Sequence, residues 1–137
     1  MQYIGVGWRA LATAIDTMLL AVVAYVIAWL SGSTTQSGFE LHGGPFFLML
    51  LIMLGYYITL ESLFGMTVGK SILRLRVVNV DGSAIDWRSC VVRNLLRLVD
   101  GLFFYFVGAV FIWTSPQRQR LGDRLAGSVV IRVTATR

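Results

Sequence analysis

At 137 residues the chain has room for one domain and not two. Charged residues make up 14% and apolar residues 56%, with a mean hydropathy of +0.71; soluble domains carry charge at about a quarter of positions, so an ordinary soluble domain is excluded and lipid is the expected solvent for much of the surface. The net charge of +5 comes almost wholly from arginine, Lys70 being the only lysine, and the arginines flank or enter apolar segments, so they read as contacts to anionic headgroups, with no nucleic acid as partner.

The first apolar stretch covers residues 10–30 and is preceded by Arg9. It is interrupted by Asp16, and no small-x-small cleavage site follows, so it is expected to stay in the mature protein and not to be removed as a signal peptide. Residues 31–44 are rich in Ser, Thr and Gly and contain no Lys or Arg. His42, the only histidine, falls in this loop and is expected to be solvated. A second apolar stretch covers residues 45–64. Each stretch has roughly the 20 residues that span a ~30 Å hydrocarbon layer. Lys70, Arg74, Arg76 and Arg88 follow the second. The positive-inside rule therefore places the N-terminus and this basic loop in the cytoplasm of a multi-pass cell-membrane protein.

Residues 71–80 alternate apolar with polar or basic side chains, a strand pattern. Asp81-Gly82 is a tight-turn signal, and residues 84–87 are placed to begin a return strand. Residues 128–133, near the end, are also β-prone. A small cytoplasmic sheet joining residues 73–80 to 128–133 would satisfy the backbone groups of both.

Residues 89–99 read as an amphipathic helix with Arg93, Arg97 and Asp100 along one stripe. Asp100-Gly101 then interrupts, and residues 102–113 are almost wholly apolar. A complete third span would carry the basic tail to the outer side, against the charge rule. A re-entrant helical hairpin bending near Asp100-Gly101 is the favoured alternative, each arm being ~17 Å of helix, about half a bilayer. The fold class is thus an all-α membrane protein with two transmembrane helices, a third apolar region that re-enters or spans, and a small β element.

Acids and arginines at membrane depth carry the functional question, since each costs roughly 2.5–3.5 kcal/mol near the centre of a membrane helix. The candidate ion or proton site, or buried charge network, is Arg9, Asp16, Glu61, Arg93, Arg97 and Asp100. Arg9 and Asp16 are seven apart, on one helix face but ~10 Å apart along the axis. The expected pairings are Asp16 with Arg97 or Arg93, and Arg9 with Asp100 or Glu61. These charges either clamp helices in register or form a cation or proton site. In the tail, Arg120, Asp123 and Arg124 form a motif expected to be a solvated or interfacial ion pair, or to lock the tail beneath the helices.

Residues 65–71 (GMTVGKS) look superficially like a phosphate loop, but the glycine spacing is wrong and a strand-like run follows. Gly65 and Gly69 are expected to shape the exit from the second helix, with Lys70 among headgroups. Cys90 is the only cysteine, so an intramolecular disulfide and a cysteine-cluster metal site are excluded. No nucleophile set points to an enzyme, and no cofactor or metal is called for.

Together these residues resemble the RDD family of small membrane proteins, named for one arginine and two aspartates. GWRALATAIDTMLL supplies Arg9 and Asp16, GMTVGKSILRLRVVNVDG is similar to the loop after the family's second helix, RNLLRLVDG contributes Asp100, and QRLGDRLAGSVVI matches the closing motif through Asp123 and Gly127. Ser128 stands where threonine is more usual. The resemblance implies one RDD-type domain over residues 1–137 and a transport role, with sodium/proton antiport linked to some members.

Two functions follow as expectations. One is a homo-oligomeric monovalent-cation/proton antiporter, in which Asp16 and Asp100 bind cation or proton alternately while Arg9 and Arg97 tune them. The other is a non-transporting structural or regulatory subunit of a larger membrane complex, its buried charges serving only to specify packing.

Overall fold

The first long helix carries two kinds of side chain, and their spacing decides what faces inward. The structure, a computed structural model, describes residues 4–102, 110, 112–114 and 116–133. In α1 (Val6–Leu30), Arg9, Ala12, Asp16, Leu20, Ala24 and Ala28 are buried, one stripe stepping by three or four residues. Met18, Val22, Tyr25, Trp29 and Leu30 are exposed on the other faces. Polar and small residues inward with large apolar ones outward is the reverse of a soluble helix and suits a lipid surround. α2 (Gly43–Phe64) is more extreme, with only Tyr57 and Glu61 buried. Both helices are long and apolar enough to cross a membrane.

Between them, residues 31–42 are not featureless: β1 (Thr34–Thr35) and β2 (Gly38–Phe39) pair antiparallel as a minimal hairpin. His42 is exposed and pairs with Glu40 at 3.1 Å, as a solvated loop histidine would.

α2 ends at Gly65, whose left-handed φ of 70° lets its N–H reach the Glu61 carbonyl at 3.0 Å. A Cβ there would also lie 2.9 Å from the Val77 carbonyl oxygen, so glycine is required twice over. The chain then forms a short helix that takes the first two residues of the expected strand. α3 (Val68–Ile72) begins at Thr67, whose hydroxyl accepts the Lys70 N–H at 3.4 Å. Arg74, at φ 55°, breaks the helix and starts β3 (Leu75–Asn79) four residues later than the alternation suggests.

β3 pairs antiparallel with β4 (Ser128–Arg132), Leu75 opposite Arg132 and Asn79 opposite Ser128, the sheet expected from sequence. The return strand after Asp81-Gly82 shrinks to a single bridge between Val78 and Ala84. Leu75, Val77 and Val130 bury one face of the sheet together with Ile4, Ala12, Ile85 and Cys90, which welds the sheet to the start of α1.

α4 (Trp87–Leu102) runs through Asp100 and Gly101 without interruption. The interruption expected at these two residues is not seen: they lie in the last turn of the helix, where a glycine costs only about 1 kcal/mol. Whether the third apolar region re-enters or spans turns on residues 103–109, outside the described residues. α5 (Leu121–Leu125) packs on α4 and leads into β4. Gly122 allows the close approach, a Cβ there lying 3.2 Å from the Arg93 carbonyl oxygen. The sheet, α3 and α5 therefore form one cap against the N-terminal end of α1 and the C-terminal end of α2.

Candidate functional site

Where the cap meets the two long helices, charged residues from α1 to α5 converge. Glu61, on the last full turn of α2, is completely buried. Its Oε1 accepts from the Lys70 ammonium of α3, and its Oε2 accepts from Arg93 Nε at 3.0 Å and Asn94 Nδ2 at 3.2 Å, both on α4. Arg93 extends the chain of contacts, its Nη1 donating to Asp123 Oδ1 of α5 at 2.7 Å and to Ser128 Oγ at 3.1 Å. Asp123 Oδ2 accepts from Arg9 Nη1 of α1 and from the Arg120 backbone N–H at 3.1 Å.

Arg9, Lys70 and Arg93 thus face Glu61 and Asp123, and α1 to α5 each supply one member. Such a buried network holds only if its members are mutually satisfied. One imperfection remains: Nε and Nη2 of Arg9 are buried without a hydrogen-bond partner among the described residues. The surroundings tune the members. Burial pushes the Lys70 ammonium down to about 8, with Glu61 pulling the other way. For Asp123, burial alone would raise the carboxyl, but Arg93 and Arg9 outweigh it and hold it well below its ordinary value.

Asp16 lies apart, ~15 Å along α1 from its start. Its Oδ1 accepts from the Tyr56 hydroxyl at 2.7 Å and the Gly69 N–H at 2.8 Å, and its Oδ2 from the Thr67 hydroxyl at 2.6 Å. It sits against the first turn of α3, where backbone N–H groups lack helical partners and favour a negative charge. The approach is close enough that a Cβ on Gly69 would fall 2.2 Å from the Ala12 carbonyl oxygen.

Arg97 makes a third arrangement. Its Nη2 donates to Thr13 Oγ1 at 3.3 Å and the Tyr57 hydroxyl at 3.1 Å, with the guanidinium carbon 3.9 Å from the Tyr57 ring centre.

This order of charged motifs and helices is matched beyond the single chain: the sequence profile of the RDD family fits residues 3–127. The chain belongs to the RDD family. This RDD chain is 30% identical over 83 residues to an uncharacterised protein of Rickettsia prowazekii, covering 61% of the chain and 46% of that relative. It is 27% identical over 84 residues to the uncharacterised membrane protein YteJ of Bacillus subtilis, covering 60% of the chain and 49% of YteJ. A proline-rich antigen homolog of Mycobacterium tuberculosis is 31% identical over 74 residues, 53% of the chain and 30% of that relative. The matches to the first two span about half of those relatives' length. No solved structure matches. The family, the membrane-protein relative and the two long apolar helices together make this RDD chain a membrane protein.

Of the residues singled out from sequence, Arg9, Glu61, Arg93 and Asp123 are brought together, while Asp16 and Arg97 sit in separate arrangements. The expected pairings are corrected. Asp16 meets no arginine, because donors at the start of α3 fill its oxygens. Arg9 takes Asp123 in place of Glu61, whose oxygens are filled by Lys70, Arg93 and Asn94. The side chain of Asp100, the other expected partner of Arg9, lies outside the described residues. In the tail motif, Asp123 is buried and locks α5 beneath the helices, whereas Arg124 is exposed. Lys70 is buried on Glu61 and not among headgroups. Sequence reasoning missed Tyr56, Thr67 and Asn94; Thr67 alone carried a signal, as a helix-capping residue ahead of residues 68–72.

Proposed function

We propose that this RDD protein is a non-transporting membrane subunit, a small scaffold whose buried charges fasten two spanning helices to a basic cap. One observation carries the reading: each described buried acid already has three protein donors. Tyr56, Thr67 and Gly69 fill Asp16; Lys70, Arg93 and Asn94 fill Glu61; Arg9, Arg93 and the Arg120 N–H fill Asp123. Acids saturated by their own fold serve packing and register. They offer a passing cation no coordination unless several elements separate. In this reading the protein lies in the cell membrane with its N-terminus and cap in the cytoplasm, and its partners are lipid and a larger membrane complex or further copies of itself. It performs no catalysis.

A second reading is monovalent-cation/proton antiport by a homo-oligomer. Its support is Asp16, which has only neutral donors where Glu61 and Asp123 have cationic ones. A carboxylate without a fixed counter-charge is the member best suited to exchange a proton for a cation. Ion flux through proteoliposomes separates the two. The scaffold reading expects no pH-dependent sodium or potassium flux from wild type, and loss of assembly in Asp16→Asn. Flux by wild type that disappears in a folded Asp16→Asn protein would establish the antiporter and overturn the scaffold.

A further inference from the structure

We propose that the groove between α1, α2 and α4 binds one anionic phospholipid, its phosphate on Arg97 and an acyl chain along the two long helices. The groove is a partly open cavity of about 450 Å³, within the ~300–1,000 Å³ typical of ligand sites. Its walls are apolar over most of their length, with Leu20 and Ala24 from α1, Met49 and Met53 from α2 and Leu98 from α4. It runs ~12 Å along α2, from Tyr57 to Met49. The methionines give that wall an adaptable surface suited to a flexible chain.

Polarity is confined to one end, where Asn94 and Arg97 of α4 line the cavity beside Tyr57. Arg97 is the arginine with charge to offer. Arg9 and Arg93 are spent on Asp123 and Glu61, whereas among the described residues Arg97 forms no ion pair and donates only to hydroxyls, both times from Nη2. Its planar fork suits a phosphate, and basic pockets between membrane helices are recognised lipid-headgroup sites.

A second cavity, lined by Arg93, Asn94, Arg97, Arg120 and Asp123, lies on the other side of Asn94 and Arg97. At about 20 Å³ it has room for no more than a water. The phosphate therefore rests at Arg97, at the groove's end, and does not enter the ion network. The nearby cations Arg93 and Arg120 add to the attraction, with Asp123 and Glu61 the acids that oppose it. A ligand with negative charge at one end and hydrocarbon at the other, delivered from within the bilayer, is a phospholipid of anionic headgroup.

Native mass spectrometry of the full chain in mild detergent tests this, with phosphatidylglycerol, phosphatidylcholine and inorganic phosphate offered separately. The expected result is one phosphatidylglycerol retained per chain, with phosphatidylcholine held several-fold more weakly. Arg97→Gln should lower phosphatidylglycerol retention about fivefold to tenfold, and Arg97→Lys should lose less. Ala21→Trp, on the exposed rim of the groove, should expel the acyl chain with the ion network intact, and it keeps the test decisive if Arg97→Gln does not fold. Equal retention of both lipids overturns the proposal, as does retention unchanged in either folded variant. Displacement of phosphatidylglycerol by inorganic phosphate, with Ala21→Trp silent, would make this a free-anion site. A lipid-free dimer would give the groove to a second copy; either result overturns the phospholipid.

Discussion

Glu61 and Asp123 have the same kind of environment yet respond differently to change, because one sits on a long apolar helix and the other on a five-residue turn of the cap. Removing the Glu61 charge leaves the buried Lys70 and Arg93 facing each other. Glu61→Gln should therefore destabilise by about 3–5 kcal/mol, read as a fall in Tm by tryptophan fluorescence in detergent. Asp123, in the cap, is acid-sensitive. Its folded carboxyl is depressed below the ordinary 3.8 by Arg93 and Arg9 against the effect of burial. The ion pairs thus stabilise the fold fully above about pH 4, and that stabilisation is lost as pH falls through the depressed value. Asp123→Asn should be less stable at neutral pH, and its stability should vary less with acidification, which an acid-unfolding titration of both proteins measures. A steeper acid dependence in the variant would contradict the assignment. Arg9 spends one nitrogen on Asp123 while two others are buried without acceptors among the described residues. Arg9→Lys should consequently stay within about 1 kcal/mol of wild type, while Arg9→Met, which removes one of the two cationic partners of Asp123, should not.

Among the elements, α3 carries more of the architecture than its length suggests. It places Lys70 on Glu61, presents Gly69 N–H to Asp16, and packs against α1 with no space for a side chain at Gly69. Gly69→Ala would drive a methyl into the Ala12 carbonyl, and the backbone on both sides must part. A loss of about 1–3 kcal/mol is expected, together with faster proteolysis of the cap; Gly122→Ala, where the nearest atoms stand 3.2 Å away, should be milder. The element was invisible in the sequence because residues 71–80 alternate as a strand does, and a one-turn helix is too short to show a 3.6-residue period. The long helices and the β3–β4 pairing were legible, since twenty apolar residues and two β-prone runs each have few alternatives. Side-chain partners were not. Arg9 and Asp123 are 114 residues apart, and nothing local records that the tail folds back to the start of α1. Asp100-Gly101 reads as a break because local propensity signals one, yet both residues lie in the last turn of α4.

At the scale of the whole molecule, the two ends of the long helices differ in kind. One end holds the ion network, the sheet and most of the arginines. At the other, residues 31–44 make a small hairpin without a single Lys or Arg. Because α1 and α2 are joined through that hairpin, the N-terminal end of α1 and the C-terminal end of α2 both lie at the cap. Positive charge near helix ends is retained in the cytoplasm, so the cap should face inward and the hairpin outward. Cysteine labelling reads this directly, since Cys90 is the only native thiol and is buried. In a Cys90→Ala background, Ser37→Cys and Ala84→Cys place single thiols on exposed positions of the hairpin and the cap. An impermeant maleimide added to intact cells should label Ser37→Cys at once and reach Ala84→Cys only after permeabilisation. The opposite pattern would place the arginines outside. Labelling of both positions from one side would mean that the two apolar helices do not cross the bilayer, and the buried charges would then have to be explained in water.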